Sequence, residues 1–217
     1  NQLIEVKDQN GLISQVTYDP LGRKTQVKQA KIKEGDNYTY DTYNYTYDVH
    51  GNLTTLQTPY NTCSYEYNLL GLCTSVTDIS NNSSIYTYDA AGRIISATDR
   101  RGNTFSFTYD DNGDGRGQLL SRTDGNGNTT NFSYDERGRL KTMTDANNKT
   151  TQYSYDNKGR VSRIVFPNGK TEEYAYNTQG NLIQFKDKAG NQFLYEHDAS
   201  NRLVKTTYPD GSIKQYD

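Results

Sequence analysis

The sequence predicts an all-β fold, in which antiparallel β-hairpins repeat along a ribbon and form one curved sheet. Three observations support this prediction: a period of 21 residues, two turn signals in each period, and strands in which aromatic residues alternate with small polar ones. A fixed period of this length is typical of repeat architectures, because each unit buries its apolar face only by stacking on its neighbours.

A Tyr-Asp pair, or a close variant of it, marks each repeat. Successive pairs lie 29, 20, 21, 21, 25, 21, 21, 21 and 19 residues apart, which gives the underlying period of 21. We predict a single array of about nine repeats over residues 1–217, with insertions near residues 31–44 and 110–117. Because both ends fall inside a repeat, we expect the chain to be a fragment of a longer one. The pairs begin at Tyr18, Tyr47, Tyr67, Tyr88, Tyr109, Tyr134, Tyr155, Tyr176, His197 and Tyr216.

Each repeat contains two turns. In the first, an Asp directly after the Tyr is followed three residues later by Gly, which is the pattern of a type I turn that ends in a left-handed residue. A second turn of the same kind comes about ten residues later, as in residues 99–102 and 124–127. Two turns in each period leave two strands of about six residues. The turn residues that we single out are Asp19, Gly22, Asp89, Gly92, Asp135, Gly138, Asp156 and Gly159.

The strands have the alternation of a half-buried antiparallel sheet. Before Tyr109, aromatic residues at 105 and 107 alternate with Ser106 and Thr108, which is typical of such strands. Across the first turn we expect each Tyr to pair with the apolar residue six positions later, such as Tyr134 with Leu140. A second apolar residue nine positions after the Tyr breaks the alternation, which predicts a β-bulge. Open sheets of more than about ten strands normally curl, so the sheet is expected to be curved.

The composition excludes several classes of protein. Only 32% of the residues are hydrophobic, there is no Trp, and the mean hydropathy is −0.99, which is too little apolar material for a conventional core of this size. A single-layer sheet suits this composition, because half of its side chains face water and Tyr can bury its ring. A net charge of −2 gives no basic surface for nucleic acid, and no apolar run is long enough to predict a membrane span.

One insertion resembles half of a calcium-binding loop. Asp110, Asn112 and Asp114, followed by Gly115, place oxygen ligands in the spacing that such loops use. The twelfth position is Ser121, where a calcium loop has a bidentate Glu. The alternatives are therefore a Ca²⁺ site and a hairpin turn lengthened with small polar residues. We predict no other cofactor.

The other insertion is rich in tyrosine. Tyr38, Tyr40, Tyr43 and Tyr45 lie in a segment predicted to form a longer hairpin, with its turn near residues 34–36. Their rings are candidates for a surface that stacks on a sugar or on a partner protein. The alternative is that an amphipathic hairpin needs these aromatic residues for its own cross-strand pairs.

No catalytic arrangement is evident in the sequence, and we predict that the protein is not an enzyme. His50 and His197 lie far apart in sequence, and neither has a Ser or Cys nucleophile pattern around it. Carboxylates are abundant only because the turns begin with Asp. Cys63 and Cys73 flank one turn, and the strand register places them too far apart for a disulfide, so two free, buried thiols are expected.

The repeated pattern YDxxGRLxxxTDxxGN, seen at Tyr88–Asn103 and Tyr134–Asn148, resembles the YD repeat of the Rhs family. That family includes bacterial polymorphic toxins, the cocoon-forming component of insecticidal toxin complexes, and teneurin adhesion receptors. The resemblance implies that the hairpins join into a strip that spirals into a hollow β-shell around the toxin domain at the C-terminal end of the same polypeptide. It also implies a bacterial protein that is secreted or lies on the cell surface.

Two functions follow from this resemblance. The first is a structural segment of a shell that encapsulates a C-terminal toxin or effector domain, with the other repeats and that domain as its partners. The second is an extracellular adhesion module that binds carbohydrate or a cell-surface protein. A container must close, whereas a binding module can stay open. In either case the exposed sheet edges are expected to favour pairing between copies of the isolated chain.

Overall fold

The protein is all-β, as predicted. The computed structural model describes residues 2–7, 9, 13–34, 37–110 and 116–216, and in this part of the chain the regular elements are strands joined by short turns. The chain divides into two compact units, residues 1–106 and 107–217, and the boundary falls inside one strand. Within the described ranges, no helix is long and apolar enough to cross a membrane.

The strands of the first unit are β1 (Gln2–Lys7), β2 (Ile13–Tyr18), β3 (Lys24–Glu34), β4 (Asn37–Tyr47), β5 (Leu53–Gln57), β6 (Thr62–Tyr67), β7 (Cys73–Thr77), β8 (Ser83–Tyr88) and β9 (Ile94–Thr98). Strand β10 (Thr104–Tyr109) contains the boundary. The second unit continues with β11 (Leu119–Thr123), β12 (Thr129–Tyr134), β13 (Leu140–Thr144), β14 (Thr150–Tyr155), β15 (Val161–Val165), β16 (Thr171–Tyr176), β17 (Leu182–Lys186), β18 (Gln192–His197), β19 (Leu203–Thr207) and β20 (Ile213–Gln215).

Within each unit, a strand pairs antiparallel with the next strand in sequence, so the chain forms consecutive hairpins. Tyr134 at the end of β12 pairs with Leu140 at the start of β13, and Tyr155 pairs in the same way with Val161. The predicted aromatic–aliphatic pairs are therefore confirmed. Such pairs are the unit by which an antiparallel sheet is stabilised.

The predicted bulge is also confirmed, and the register shows where it lies. Ser133 pairs with Thr142, whereas the next residue, Tyr134, pairs with Leu140, so Lys141 is the extra residue. The bulge restores the alternation on its far side, because Met143 then pairs with Phe132. The apolar residues six and nine positions after each Tyr thus face the same side of the sheet, although their spacing is odd.

The two faces of the sheet differ in chemistry. One face, called the aromatic face below, carries the repeat tyrosines and their partners, such as Phe132, Tyr134 and Leu140. The opposite face, called the polar face, carries pairs such as Ser133 with Thr142, whose hydroxyls are hydrogen-bonded at 2.5 Å. Alternation along each strand produces this division.

No hydrophobic side chain is fully buried among the described residues, as expected for a sheet without a second layer. The only buried residues in this part of the chain are Thr151 and Thr206, which are 8% and 5% exposed. Cys63 and Cys73 are free, as predicted, but they are half-buried rather than buried. The reason is the same for all of these side chains: a single sheet covers each of them from one side only. Curvature of the ribbon as a whole stays a prediction.

The insertion near residues 31–44 lengthens one hairpin. Strands β3 and β4 have 11 residues each, whereas their neighbours have five or six. Ala30 pairs with Tyr40 and Ile32 with Thr39, so Lys31 forms a further bulge in β3. The hairpin therefore extends beyond the strands that flank it.

Candidate functional site: the row of YD turns

The turns that follow the repeat tyrosines, called YD turns below, share one backbone structure. In the turn after Tyr134, the Asp135 amide donates to the Arg139 carbonyl at 2.9 Å, and the Gly138 amide donates to the Asp135 carbonyl at 2.8 Å. Gly138 has a φ of 79°, which is left-handed and open to Gly at no steric cost. In a later YD turn Asn201 takes this position with a φ of 63°. The turn residues singled out from the sequence lie at the first and fourth positions of these turns: Asp19, Gly22, Asp89, Gly92, Asp135, Gly138, Asp156 and Gly159.

The Asp side chain closes the turn from inside. One oxygen of Asp135, Oδ1, accepts hydrogen bonds from the amides of Arg137 and Arg139, both at 2.9 Å. The other oxygen, Oδ2, lies 2.7 Å from Nε and 2.6 Å from Nη2 of Arg139. The Asp135 carboxylate therefore fixes both the backbone of the turn and the orientation of the Arg139 guanidinium. Both guanidinium nitrogens contact the same oxygen, and hydrogen bonds between two charged groups are stronger than those between neutral groups.

These contacts lower the pKa of the Asp135 carboxyl group to about 2. The hydrogen bond from the Arg139 side chain is the largest cause, followed by the backbone amides of Arg139 and Arg137. Each of these donors favours the charged carboxylate. Asp19 and Asp198 also have lowered pKa values, with the backbone amide of the Arg four residues later as the largest cause.

The Arg of one YD turn lies over the Tyr of the next repeat. The Arg139 guanidinium carbon is 4.4 Å from the centre of the Tyr155 ring, and the same distance is 4.3 Å between Arg160 and Tyr176. In the first unit, Arg23 lies 4.7 Å from the centre of the Tyr47 ring. At these distances the cation is attracted by the ring, so each such Arg connects two successive repeats.

The Tyr hydroxyl makes a second connection between the same repeats. The Tyr155 hydroxyl donates to the Leu140 carbonyl at 2.8 Å, and Leu140 is the residue that pairs with the preceding repeat tyrosine. Burial raises the pKa of Tyr155, which keeps this donor protonated. The equivalent hydrogen bonds run from Tyr47 to Lys24, from Tyr67 to Leu53, from Tyr88 to Cys73 and from Tyr134 to Leu119. We call this set of contacts the inter-repeat brace.

The Tyr-to-carbonyl part of the brace does not require Arg. Asn52 and Leu72 replace Arg in two YD turns, yet Tyr67 and Tyr88 of the repeats that follow them still reach the preceding strand. After the second insertion Gln118 occupies the Arg position and donates to the Gly138 carbonyl at 2.6 Å. The hydroxyl contact therefore forms both in repeats that follow an Arg and in repeats that do not.

The second turns have the same backbone but different side-chain contacts. In the turn at Asp124, Oδ1 again accepts from the backbone, and Oδ2 accepts from the Asn128 side chain at 2.9 Å. Thr123 and Thr129, on the two strands that this turn joins, are linked through their hydroxyls at 2.8 Å. These contacts stay within one turn and its own two strands.

The predicted calcium ligands lie mostly outside the described residues. Asn112 and Asp114 fall in the range 111–115, which the structure leaves undescribed. The Asp110 amide donates to the Gln118 carbonyl at 2.8 Å, as the first residue of a YD turn does elsewhere. In the described ranges there is no group of three His, Cys, Asp or Glu side chains that could hold a metal ion. Calcium binding stays a prediction.

The four tyrosines of the long hairpin do not share one surface. Because β4 runs without a bulge, Tyr43 and Tyr45 lie on the aromatic face and Tyr38 and Tyr40 on the polar face. The rings of Tyr38 and Tyr40 lie 6.0 Å apart. The odd spacing between Tyr40 and Tyr43 already implied this division. A surface made of all four rings is thus not formed, and binding at either pair stays a prediction.

Two lysine clusters at the other ends of the strands were not identified from the sequence. Lys31 donates to Tyr60 at 3.1 Å and to Asp41 at 3.3 Å. In the second unit, the Lys188 ammonium lies 3.5 Å from the centre of the Phe166 ring. The only sequence signal for the second cluster is that Phe166 stands where most second turns have Asp.

Comparison with known proteins agrees with the repeated geometry. The family model described as RHS Repeat matches residues 67–104, 88–114, 113–147, 134–171 and 176–213, which together make up more than half of the chain. The chain belongs to the RHS repeat family. Its structural units are therefore RHS repeats, and the chain is a structural segment of the Rhs type. No curated protein matches the sequence significantly.

A solved structure with low sequence identity shows the same fold. A crystal structure of TcdB2-TccC3 without its hypervariable C-terminal region is 14% identical, with a TM-score of 0.59, over 99% of this chain. A structure of the Photorhabdus luminescens Tc holotoxin pore is 13% identical, with a TM-score of 0.44, over 95% of this chain. The RHS repeats described here span only 14% of the length of each of those chains.

Proposed function

We propose that this chain is a stretch of the wall of an Rhs β-shell that encloses a C-terminal toxin or effector domain of the same parent polypeptide. The observation that supports this most directly is the inter-repeat brace, in which the hydroxyls of five repeat tyrosines meet a carbonyl of the repeat before them. A wall needs a joint that recurs at every repeat, and the same hydrogen bond recurs at Tyr67, Tyr88, Tyr134 and Tyr155. The parent protein would be bacterial and would act outside the cell that makes it.

The absence of a core supports a wall rather than a globular binding domain. In the described residues both faces of the sheet keep half-buried side chains, and no apolar residue is fully buried. A sheet of one layer separates two compartments with little material, because each strand contributes about 4.8 Å to the length of the wall. Remaining repeats of the parent chain would continue the sheet at β1 and β20, whose outer edges have no strand beside them in the described structure.

Electron microscopy of the full-length parent chain tests this proposal. The expected result is a closed, hollow particle with density inside it that corresponds to the C-terminal domain. A matched deletion variant of the parent chain that lacks that domain should give the same closed particle without internal density. An open ribbon, or a particle whose internal density persists in the deletion variant, would overturn encapsulation and leave only the structural role.

Calcium binding at Asp110, Asn112 and Asp114 is a separate proposal, which rests on the ligand pattern of the sequence. The measurement is the melting temperature with added Ca²⁺ and with a chelator. Binding to the folded protein should raise the melting temperature in Ca²⁺, and Asp114→Ala should remove that increase. Asp124→Ala, in a second turn outside the insertion, serves as the matched control. An increase that survives Asp114→Ala would contradict the proposal.

A further inference from the structure

Three side chains, those of Phe166, Glu172 and Tyr174, form a cluster with the Lys188 ammonium group near the second-turn ends of β15 to β18. The Lys188 Nζ lies 3.5 Å from the centre of the Phe166 ring and 3.9 Å from Oε1 of Glu172. The other carboxylate oxygen of Glu172 accepts a hydrogen bond from the Tyr174 hydroxyl at 2.9 Å. The Tyr174 ring in turn lies 5.2 Å from the ring of Phe185. The face of the Phe166 ring and the Glu172 carboxylate therefore flank the same cation.

The sequence creates this cluster by a change in one turn. The second turn from Phe166 to Lys170 keeps the usual backbone bonds, because the Phe166 amide donates to the Lys170 carbonyl and the Gly169 amide to the Phe166 carbonyl. Phe166 stands where other second turns have an Asp whose side chain accepts hydrogen bonds from the turn backbone. Because Phe cannot accept such bonds, its ring is available for another contact. Lys188 follows Asp187 in the next second turn and supplies that contact. The cluster thus joins two turns that are otherwise independent.

Glu172 and Tyr174 form the fixed part of the cluster. Both lie on the aromatic face of β16, where Glu172 pairs with Ile164 and Tyr174 with Phe185. The Glu172 side chain is 20% exposed, so its charge lies partly out of water and favours a nearby cation. Burial, followed by the hydrogen bond to Glu172, raises the pKa of Tyr174 to about 12. The Tyr174 hydroxyl therefore stays protonated and holds the carboxylate in one orientation.

Lys188 is held more loosely than the lysine of the other cluster. Lys31 makes two hydrogen bonds, and the one to Tyr60 is the largest cause that raises its pKa. Lys188 makes no hydrogen bond through Nζ to any residue in the described ranges, and its side chain is 47% exposed. A cation held only by a ring face and a distant carboxylate can exchange with another cation of the same type.

We propose that Phe166, Glu172 and Tyr174 form a binding site for the side-chain ammonium group of a lysine in a partner polypeptide, and that Lys188 occupies this site when the partner is absent. The occupant is a lysine because the cluster already selects an ammonium group by charge and by ring contact. Lys188 competes with the partner, so the apparent affinity equals the intrinsic affinity multiplied by the fraction of sites that Lys188 leaves empty. Removal of Lys188 should therefore strengthen binding of an added ammonium.

The test is a titration followed by NMR of the ring protons of Phe166 and Tyr174, with the 217-residue chain. The probe is a lysine amino acid blocked at both ends, acetylated on its α-amino group and amidated on its carboxyl group. We expect Lys188→Ala to reach half-saturation at a probe concentration about tenfold lower than that of the unmodified chain. Lys188→Gln should behave in the same way, which guards against an effect of the small Ala side chain.

Two controls make the result specific. Lys186→Ala removes a lysine on the polar face of the same strand region, opposite Glu173, and should leave the titration unchanged. The probe acetylated on its side-chain nitrogen has no ammonium and should give no saturable shift with any variant. Addition of Glu172→Gln to Lys188→Ala should abolish binding, with the remaining spectrum intact. Binding that is equal with and without Lys188, that survives Glu172→Gln, or that is absent in both Lys188 variants would overturn the proposal.

Discussion

The YD turns and the second turns have nearly the same backbone but differ in where their side chains reach. Gly138 in a YD turn and Gly127 in a second turn have φ values of 79° and 84°, and in both turns the Gly amide donates to the carbonyl of the first Asp. From the YD turn, however, Arg139 lies over the Tyr of the next repeat. From the second turn, Asn128 bonds to the Asp of its own turn.

The turn backbone of a hairpin and the side-chain contacts between repeats therefore depend on different residues. Asp and Gly at either turn stabilise one hairpin, whichever row of turns they belong to. Backbone pairing joins the strands throughout each unit, and the side-chain contacts that recur between repeats belong to the YD row, where the brace lies. In the second row, contacts between turns are individual, such as Arg100 with Asp78 at 3.2 Å and Lys188 with Glu172 at 3.9 Å. The side-chain contacts that recur between repeats thus lie at the YD-turn end of the strands.

Tyr155→Ala should give the largest loss of stability, because it removes the ring under Arg139, the pair with Val161 and the hydroxyl bond to Leu140. We expect a loss of about 2–3 kcal/mol in the free energy of unfolding, measured by urea denaturation. Tyr155→Phe keeps the ring and should lose only about 1 kcal/mol. If Tyr155→Phe cost as much as Tyr155→Ala, the ring would contribute nothing to the brace.

Gly138→Ala should cost more than Gly169→Ala, although both residues are left-handed. Any Cβ at φ near 80° costs about 1–2 kcal/mol. At Gly138 a Cβ would also lie 3.0 Å from Gln118 Nε2 and 3.2 Å from Arg116 Nη1, whereas at Gly169 it would meet nothing within 4 Å. Urea denaturation of the two variants gives the comparison directly. Equal losses would show that the side chains of residues 116 and 118 move away from the new Cβ without a cost in the free energy of unfolding.

Much of the fold follows from the sequence, because turn chemistry and alternation are local signals. The pairs of Tyr134 with Leu140 and of Tyr155 with Val161 could be predicted from spacing alone. The brace could not be predicted, because the Tyr155 hydroxyl bonds to a backbone carbonyl, which leaves no trace in the side-chain pattern. The lysine cluster could not be predicted for a related reason. In the sequence, Phe166 is only a departure from the Asp of other second turns, and its contact with Lys188 is evident only in the structure.

Acid should weaken the YD turns, and Asp135→Asn isolates the contribution of one of them. The pKa of Asp135 is about 2 in the folded protein and about 3.9 for an unperturbed Asp. Because the folded pKa is the lower one, this stabilisation is complete above pH of about 4 and is lost as the pH falls toward about 2. The effect is smaller than those above, because the pair with Arg139 is partly solvated.

The measurement is the urea midpoint at several pH values between 5 and 2. Other turn carboxylates also have lowered pKa values, among them Asp124, where the Asn128 side chain is the largest cause. The midpoint of the unmodified chain should therefore fall across this range, and that of Asp135→Asn should fall less steeply. Identical pH profiles for the two proteins would contradict the low pKa of Asp135.

Thr150→Val should have the smallest effect. It removes the hydroxyl pair with Thr144, at 2.8 Å, which lies within one hairpin beside a second turn. The change in the free energy of unfolding should stay within about 0.5 kcal/mol, because Val fits a strand as well as Thr does and the hydroxyl bond is weak. A loss as large as that of Tyr155→Ala would mean that the second row holds the repeats together as firmly as the YD row.

The brace also bears on how such a chain can change in length over evolution. The insertion before Leu119 stretches one repeat from 21 to 25 residues, yet the Tyr134 hydroxyl still meets the Leu119 carbonyl at 2.9 Å. A block of coding sequence cut between two repeat tyrosines thus carries one donor and one acceptor for this joint. Unequal recombination can copy or delete such blocks and leave the joints on either side matched. Selection then has to preserve the block, while the number of blocks is free to change.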